Sequence, residues 1–438
     1  MSDITHRRVL KIAVPVVLSN VTVPLLGAVD TAVIGQLGQA APLGAVGLGA
    51  VVLATLYWAF GFLRMSTSGL AAQARGAGDG AEQAAVLLRA MIVAMAAGLL
   101  LILAQALLFG AALHLAPASA EVEGLARQYL TIRIWGAPAT IAVYALTGWL
   151  IGMERTRGVL WLQLLQNGMN IALDLWFVLG LGWGVPGVAF ATLLAEWSGL
   201  IFALWLARDV LGAALRPALA RLGDRLALRR MFTASRDIMI RTILLQLCFT
   251  TFIFLGAREG DVTLAANQVL LQFLEITAYA LDGFAIAAET LVGQAVGARA
   301  LAPLRQATRI SMQWGFGGAA LMSVAFLIAG GPIIDLMTTA PDVREAARHY
   351  LPWLIAAPLI GVASWIYDGI FIGALMTREM LRAMFLSVLL YTLAVVALPL
   401  AMGNHGLWAA LMVLNAARGL TMRAAFPRLF QRVSAGAA

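Results

Sequence analysis

The sequence predicts an all-α integral membrane protein with twelve transmembrane helices arranged as two parallel repeats of six. Three observations carry that reading. Apolar residues make up 61% of the 438 and charged residues 12%, with a mean hydropathy of +0.88. The apolar residues fall into runs long enough to cross a bilayer, and residues of one half recur in the other at a constant offset. Soluble domains run at about 45–50% apolar and about 25% charged. A chain this poor in polar groups cannot cover its apolar surface in water, so the bilayer must be its solvent.

The twelve runs lie at 10–34, 43–72, 86–112, 122–150, 158–182 and 186–207, then at 231–256, 263–296, 308–330, 345–373, 380–402 and 406–426. About 20 residues cross the hydrocarbon core, so several runs are expected to tilt or overhang. His6, Arg7, Arg8 and Lys11 before the first run mimic a signal peptide. That run is long and followed by many others, and it reads as a retained span.

Basic residues set the orientation. The loops after even-numbered spans hold Arg75, Arg155, Arg157, Arg299, Arg305, Arg378 and Arg382, and the segment between spans 6 and 7 holds Arg208, Arg216, Arg221, Arg225, Arg229 and Arg230. Loops after odd-numbered spans hold almost none, with Arg258 and Arg344 as exceptions. The positive-inside rule then places both termini and the central segment in the cytoplasm, and the chain in the inner (plasma) membrane. The net charge of +8 thus reports topology, and no nucleic-acid partner is expected.

Comparing the halves shows a duplication. "ARQYL" at 126–130 recurs as "ARHYL" at 347–351, an offset of 221. At the same offset Gly35 meets Gly256, Gln73 meets Gln294, Gly76 meets Gly297, and Thr156 and Arg157 meet Thr377 and Arg378. Near the end "GVPG" at 184–187 pairs with "GNHG" at 403–406. Six spans per half is an even number, so both halves enter the membrane in the same direction. The expected division is an N-terminal lobe over 1–207, a basic inter-lobe loop over 208–230 and a C-terminal lobe over 231–438. Transporters with such repeats bind between the halves and rock one against the other.

The polar residues that break the repeat are the candidates for chemistry. Asp30 in span 1 and Asp174 in span 5 interrupt apolar runs, at a cost of about 2.5–3.5 kcal/mol for a charge at the bilayer centre. At an offset of 221, Asp30 faces Thr251, Asn170 faces Tyr391 and Asp174 faces Val395. At 1.5 Å per residue, Asp30 lies about 6 Å, Asp174 about 12 Å and Thr192 about 9 Å inside the outer ends of spans 1, 5 and 6. Asn170 is one turn from Asp174 on the same face. Two carboxylates in one dry layer favour a shared proton, or a small cation held by carboxylate and amide oxygens. Each acid could instead be a packing residue with a local hydrogen bond.

Twelve spans in two parallel halves, "VDTAVIG" in span 1, Asn170 and Asp174 in span 5 and Thr192 in span 6 resemble the MATE multidrug efflux family, in particular its DinF-like branch. The resemblance covers about residues 8–430. It implies a V-shaped cleft between two lobes and export of drug-like cationic or aromatic compounds against an inflow of protons or sodium. Asp30 then matches the family's coupling acid, with Asn170, Asp174 and Thr192 as its network. Tyr129 matches less securely, because its repeat mate Tyr350 suggests packing. Pro15 matches a proline at which span 1 bends, and Pro24 is a rival hinge, since either removes a helix bond. The sodium-coupled branch carries an acid in span 7, where this chain has Gln246 and Thr250. Protons are therefore the preferred ion, with sodium at Asp30, Asn170 and Asp174 as the alternative.

No catalytic residue, cofactor or resident metal is expected, and the protein is expected to act as a monomer among membrane lipids. Cys248 is the only cysteine, which excludes disulfides and cysteine-based metal sites. The four histidines show no metal spacing, and no Walker loop is present to bind ATP. A lipid-linked precursor flippase would share the duplication but would need a basic cleft for a pyrophosphate. An intramembrane aspartyl hydrolase built on Asp30 and Asp174 would leave the second half without a task.

One further feature lies outside any motif. In span 8, Gln268, Glu275, Asp282 and Glu289 recur every seven residues, a polar stripe on one helix face. Their repeat mates are Gly47, Ala54, Gly61 and Ser68. Span 2 carries Arg64 instead, whose mate is Ala285. A gate in which Arg64 pairs with Asp282 or Glu289 is one expectation. The other is that the arginine neutralises a neighbour in its own lobe or snorkels to the interface.

Overall fold

A computed structural model describes residues 3–36, 38–116 and 118–435, the side chains of 23–28 excepted. The described residues are helical, with no strand among them. In chain order the helices are α1 (His6–Gly35), α2 (Ala40–Trp58), α3 (Phe62–Gly76), α4 (Gly80–Leu103), α5 (Gln105–Leu115), α6 (Ala120–Arg133), α7 (Ala137–Gly152) and α8 (Thr156–Asp174). After them come α9 (Gly184–Ala220), α10 (Arg225–Gly256), α11 (Asp261–Gly297), α12 (Leu301–Met337), α13 (Pro341–Gly373), α14 (Thr377–Met402), α15 (Asn404–Ala425) and the short α16 (Pro427–Ala435). The pairs α2/α3, α4/α5 and α6/α7 are each one span with a local break, so the helices make twelve spans.

Nine helical stretches among the described residues are long and apolar enough to cross a membrane on length and composition alone. Two of the remaining spans, α8 and α15, are more polar for a visible reason. The first carries Asn167, Asn170 and Asp174, and the second Asn404, Asn415 and Arg418.

The duplication is written into the backbone. Helices starting at Ala40, Gly80, Ala120 and Thr156 correspond to helices starting at Asp261, Leu301, Pro341 and Thr377, each 221 residues later. The turns repeat too. Glu154 and Leu375 are left-handed at φ 55° and 51°, and so are Gly78 and Arg299 at 71° and 51°. Side chains at Glu154, Arg299 and Leu375 accept a strained conformation to close the same turn in both halves.

Packing repeats as well. Gly148 of α7 lies directly on the carbonyl of Arg64, and Gly369 of α13 directly on that of Ala285. One turn further, Gly152 lies on Ser68 and Gly373 on Glu289. In lipid no hydrophobic force draws helices together, so small residues four apart supply the close van der Waals contact.

Two compact units result. One comprises Leu18–Arg75 and Asp79–Met231, the first unit below; the other comprises Met1–Val17, Gly76–Gly78 and Phe232–Ala438. α1 contributes to both, changing unit between Val17 and Leu18.

The basic segment 208–230, expected as a loop, is instead helix, a short turn at 221–224, and helix again. Ala214 and Ala218 of α9 pack on Ala84 and Ala85 of α4. Arg221 bonds Asp79 at 2.6 Å, while Arg89 bonds both Glu82 at 2.7 Å and the Arg221 carbonyl at 2.6 Å. Asp79 also caps α4 by accepting from the Glu82 amide. Read as a charge run, the segment concealed an apolar stripe and a clamp.

Two outcomes test this account. Gly148→Val forces a side chain onto a carbonyl and should cost at least about 1–3 kcal/mol, lowering the unfolding midpoint in detergent. Gly168→Ala, with open space around it, should not lower it, and equal losses would contradict the packing. Separately, Arg155 forks onto Asp209 at 2.8 and 2.5 Å and holds its carboxyl down to about 2. A carboxylate lowered on folding adds stability above its unfolded value, lost as pH falls through the folded one. Both groups are partly exposed, so the contribution is at most about 1 kcal/mol. Asp209→Asn should flatten the acid limb of stability between pH 4 and 2, an unchanged limb being the contrary result.

Candidate functional site

In the first unit α8 presents Asn170 and Asp174 one turn apart, both 0% exposed. The six residues after Asp174 form a π-helical turn, 175–180, a distortion frequent at functional sites. α1 brings Asp30, 9% exposed, and α9 brings Thr192, 4% exposed. Asn170 Nδ2 donates to Thr192 Oγ1 at 3.0 Å, and that hydroxyl donates onward to the Val188 carbonyl at 3.0 Å. Asp30 and Asp174 are electrostatic neighbours in this layer, with the Asn170 side chain beside Asp30. Four buried acceptors, Asp30 Oδ1, Asn170 Oδ1 and both Asp174 oxygens, have no hydrogen-bond donor among the described residues.

A second charged pair stands beside this group. Arg133 of α6 faces Glu196 of α9 with Nη1 and Oε2 2.7 Å apart. Arg133 Nε donates to the Tyr129 hydroxyl at 3.4 Å, and the Tyr57 hydroxyl donates to the Arg133 carbonyl at 3.3 Å. Asp30 and Asp174 both lie in the field of Arg133. Tyr129 is fully buried, its ring against Gly49 and its hydroxyl on Arg133. The tyrosine therefore packs and bonds at once.

Arg133, Glu196 and Tyr57 were not anticipated from the sequence, although a signal was present. At an offset of 221 Arg133 faces Leu354 and Tyr57 faces Ala278, and at 219 Glu196 faces Asn415. The asymmetry that marks Asp30 marks these three as well.

The expected hinge lies on α1, which is helical throughout. Pro15 is buried in the second unit, whereas the side chain of Pro24 falls outside the described residues. Between them Thr22 Oγ1 donates to the Ser19 carbonyl at 2.7 Å, and Asn167 Nδ2 donates to the Thr22 carbonyl at 3.0 Å. α8 thus bonds the α1 backbone about one helical turn before Asn170.

The polar stripe runs along α11 in the second unit, with Gln268 and Glu275 exposed, Asp282 half-buried and Glu289 2% exposed. Arg64 is half-buried on α3 in the first unit. The second unit also holds a buried cluster that no motif suggested. Asp368 of α13 lies between Arg241 of α10 and Arg418 of α15, the latter at 2.5 Å. Arg418 Nη1 also bonds Asn415 at 3.2 Å.

Two of the histidines, far apart in sequence, are brought together. His405 Nε2 lies 2.9 Å from His349 Nε2, while Trp353 Nε1 donates to His405 Nδ1 at 2.9 Å. That bond leaves the neutral His405 proton on Nε2, directed at His349, which makes a hydrogen-bonded pair.

The family model described as MatE matches residues 15–176 and 238–397. Over 418 residues the chain is 41% identical to DNA damage-inducible protein F of Escherichia coli K12, covering 95% of this chain and 91% of the relative. It is 27% identical to a probable multidrug resistance protein NorM of Rhizobium meliloti, covering 99% and 96%. Among solved structures, MATE in the straight conformation superposes with a TM-score of 0.85 at 19% identity, covering 98% of this chain and 96% of that one. MATE in the bent conformation superposes with a TM-score of 0.84 at 17% identity, covering 98% and 95%.

The Arg133–Glu196 pair gives a direct test. Arg133→Ala leaves Glu196 buried and unpaired and should cost about 3–5 kcal/mol. Arg133→Met combined with Glu196→Leu should recover most of that loss in thermal unfolding. A double variant no better than the single would mean that the two side chains are not a pair.

Proposed function

The chain belongs to the MATE family, within its DinF-like branch, and from that premise we propose that it exports cationic and aromatic organic compounds in exchange for protons. It is a multi-pass membrane protein of a family of multidrug and toxic-compound efflux transporters. The observation that carries the finer reading is the buried Asp30–Asp174 pair with its four acceptor oxygens. In that layer Asp30, Asp174 and Glu196 face the single guanidinium of Arg133. Two unit charges 4 Å apart repel by about 4 kcal/mol at an effective dielectric of 20, close to a thousandfold in population. A fully ionised pair is therefore a minor state without a proton or a cation.

Loading and unloading that proton is the coupling step of the proposal. One proton removes the repulsion and converts an acceptor into a donor. The carboxyl of Asp30 then changes partners, and α1 moves with it. α1 lacks helix bonds at Pro15 and Pro24, and it takes part in both units. A change at Asp30 can thus bias a two-state rearrangement as differential binding requires. The four acceptor oxygens would also suit sodium, the second reading. The nearby Arg133 charge weighs against a resident cation. Both termini and the 208–230 segment are assigned to the cytoplasmic side of the inner membrane, the protein acting as a monomer.

The test is efflux of ethidium, a cationic aromatic dye, from proteoliposomes with proton and sodium gradients imposed separately. The proton gradient should drive export in the wild type. Asp30→Asn and Asp174→Asn should each reduce gradient-driven export to background while keeping the unfolding midpoint, since removing one of two like charges relieves repulsion and leaves no opposite charge unpaired. Pro15→Ala should keep dye binding and slow turnover. Near-wild-type export by Asp30→Asn, or export driven by sodium alone, would overturn the proton assignment.

A further inference from the structure

The second unit carries a cleft that ion coupling does not use. It has a volume of about 350 Å³ and lies between α12, α13 and α15. Small residues make its floor: Ala363 of α13 and Ala416 and Gly419 of α15, where a Cβ on Gly419 would meet that of Ala363 at 3.3 Å. Its walls are apolar and aromatic, with Phe316 45% and Leu420 66% exposed. Along α12 the next turns expose Leu321, Val324, Leu327 and Ile328. That apolar face, on a helix long and apolar enough to cross a membrane, belongs against acyl chains.

One end of the cleft is different. Arg423, the last basic residue of α15, lines it there, near the Tyr367 ring. It forms no ion pair with a carboxylate among the described residues, and no acidic side chain lines the cleft. At 1.5 Å per residue, Arg423 lies about 10 Å along α15 from Ala416, so the charge sits at one end of an apolar trough. Beyond it α16 packs Leu429 and Val433 inward and turns Arg428 to the surface. Phe426 continues the Tyr367 wall at 5.6 Å.

We propose that this cleft binds an anionic glycerophospholipid, an acyl chain lying over Ala363, Ala416 and Gly419 and the phosphate on Arg423. A soluble anion has no use for the apolar trough, and a neutral lipid none for the arginine. A partner helix about 10 Å across would need about 420 Å³ for a single turn, more than the cleft offers. Basic pockets between spans at a membrane surface recognise anionic headgroups, at about 1 kcal/mol per arginine.

The experiment uses the full-length protein in detergent with dioleoylphosphatidylglycerol, dioleoylphosphatidylcholine or soluble glycerol phosphate added. Bound lipid is counted by native mass spectrometry and stability by thermal unfolding. Wild type should retain phosphatidylglycerol over phosphatidylcholine and gain midpoint with it, while glycerol phosphate does nothing. Arg423→Gln should reduce phosphatidylglycerol retention about fivefold, the factor equivalent to 1 kcal/mol, leaving phosphatidylcholine unchanged. Arg423→Lys should restore part of the preference, and Ala416→Phe should reduce retention of both lipids. Equal retention of the two lipids by wild type, an undiminished preference in Arg423→Gln, or a full midpoint gain with glycerol phosphate would each overturn the site. Arg423 is exposed at a helix end, so its variants are expected to fold even if Ala416→Phe does not.

Discussion

Too many carboxylates share one dry layer of the first unit, and the proposed coupling chemistry follows from that constraint. Asp30, Asp174 and Glu196 face a single guanidinium there, and the four acceptor oxygens, Asp30 Oδ1, Asn170 Oδ1 and both of Asp174, lack a donor among the described residues. Burying charge in lipid is tolerated where it does work. Arg133 and Glu196 oppose one another as an ion pair, which in the proposed mechanism leaves the Asp30–Asp174 pair to be completed by something that can come and go. The asparagine and threonine beside the pair set its geometry without adding charge.

The scaffold makes such a layer sustainable. Two halves built on the same helix starts, left-handed turns and glycine contacts can carry different polar side chains on one backbone plan. The first unit spends that freedom on acids, whereas the second buries an aspartate between two arginines. The duplicated frame carries packing, and in the proposed mechanism the differences carry function. α1 joins the two by taking part in both units.

Much of this was legible in the sequence, for identifiable reasons. A carboxylate in an apolar run is rare enough to be noticed alone, so Asp30 and Asp174 stood out. Comparing the halves then removed residues such as the Gly76/Gly297 pair from consideration. Arg133 and Glu196 also lie inside apolar runs, but nothing in the sequence joins them, because their meeting depends on how α6 and α9 are rotated. The same applies to His349 and His405. The 208–230 segment misled in the opposite way, since its arginines masked the alanine face that packs on α4. Nothing in the sequence singled out Arg423, because the cleft it closes is assembled from three helices.

The central claim is that the Asp30–Asp174 pair holds a proton that substrate and membrane gradient compete to displace. Its most direct measurement is the pH change when ethidium binds purified protein in weakly buffered detergent. Linkage requires that a ligand favouring the ionised pair release a proton. Wild type should release one per dye bound, and Asp30→Asn and Asp174→Asn should bind dye with little or no release. Binding without release in the wild type, or undiminished release in both variants, would contradict the account.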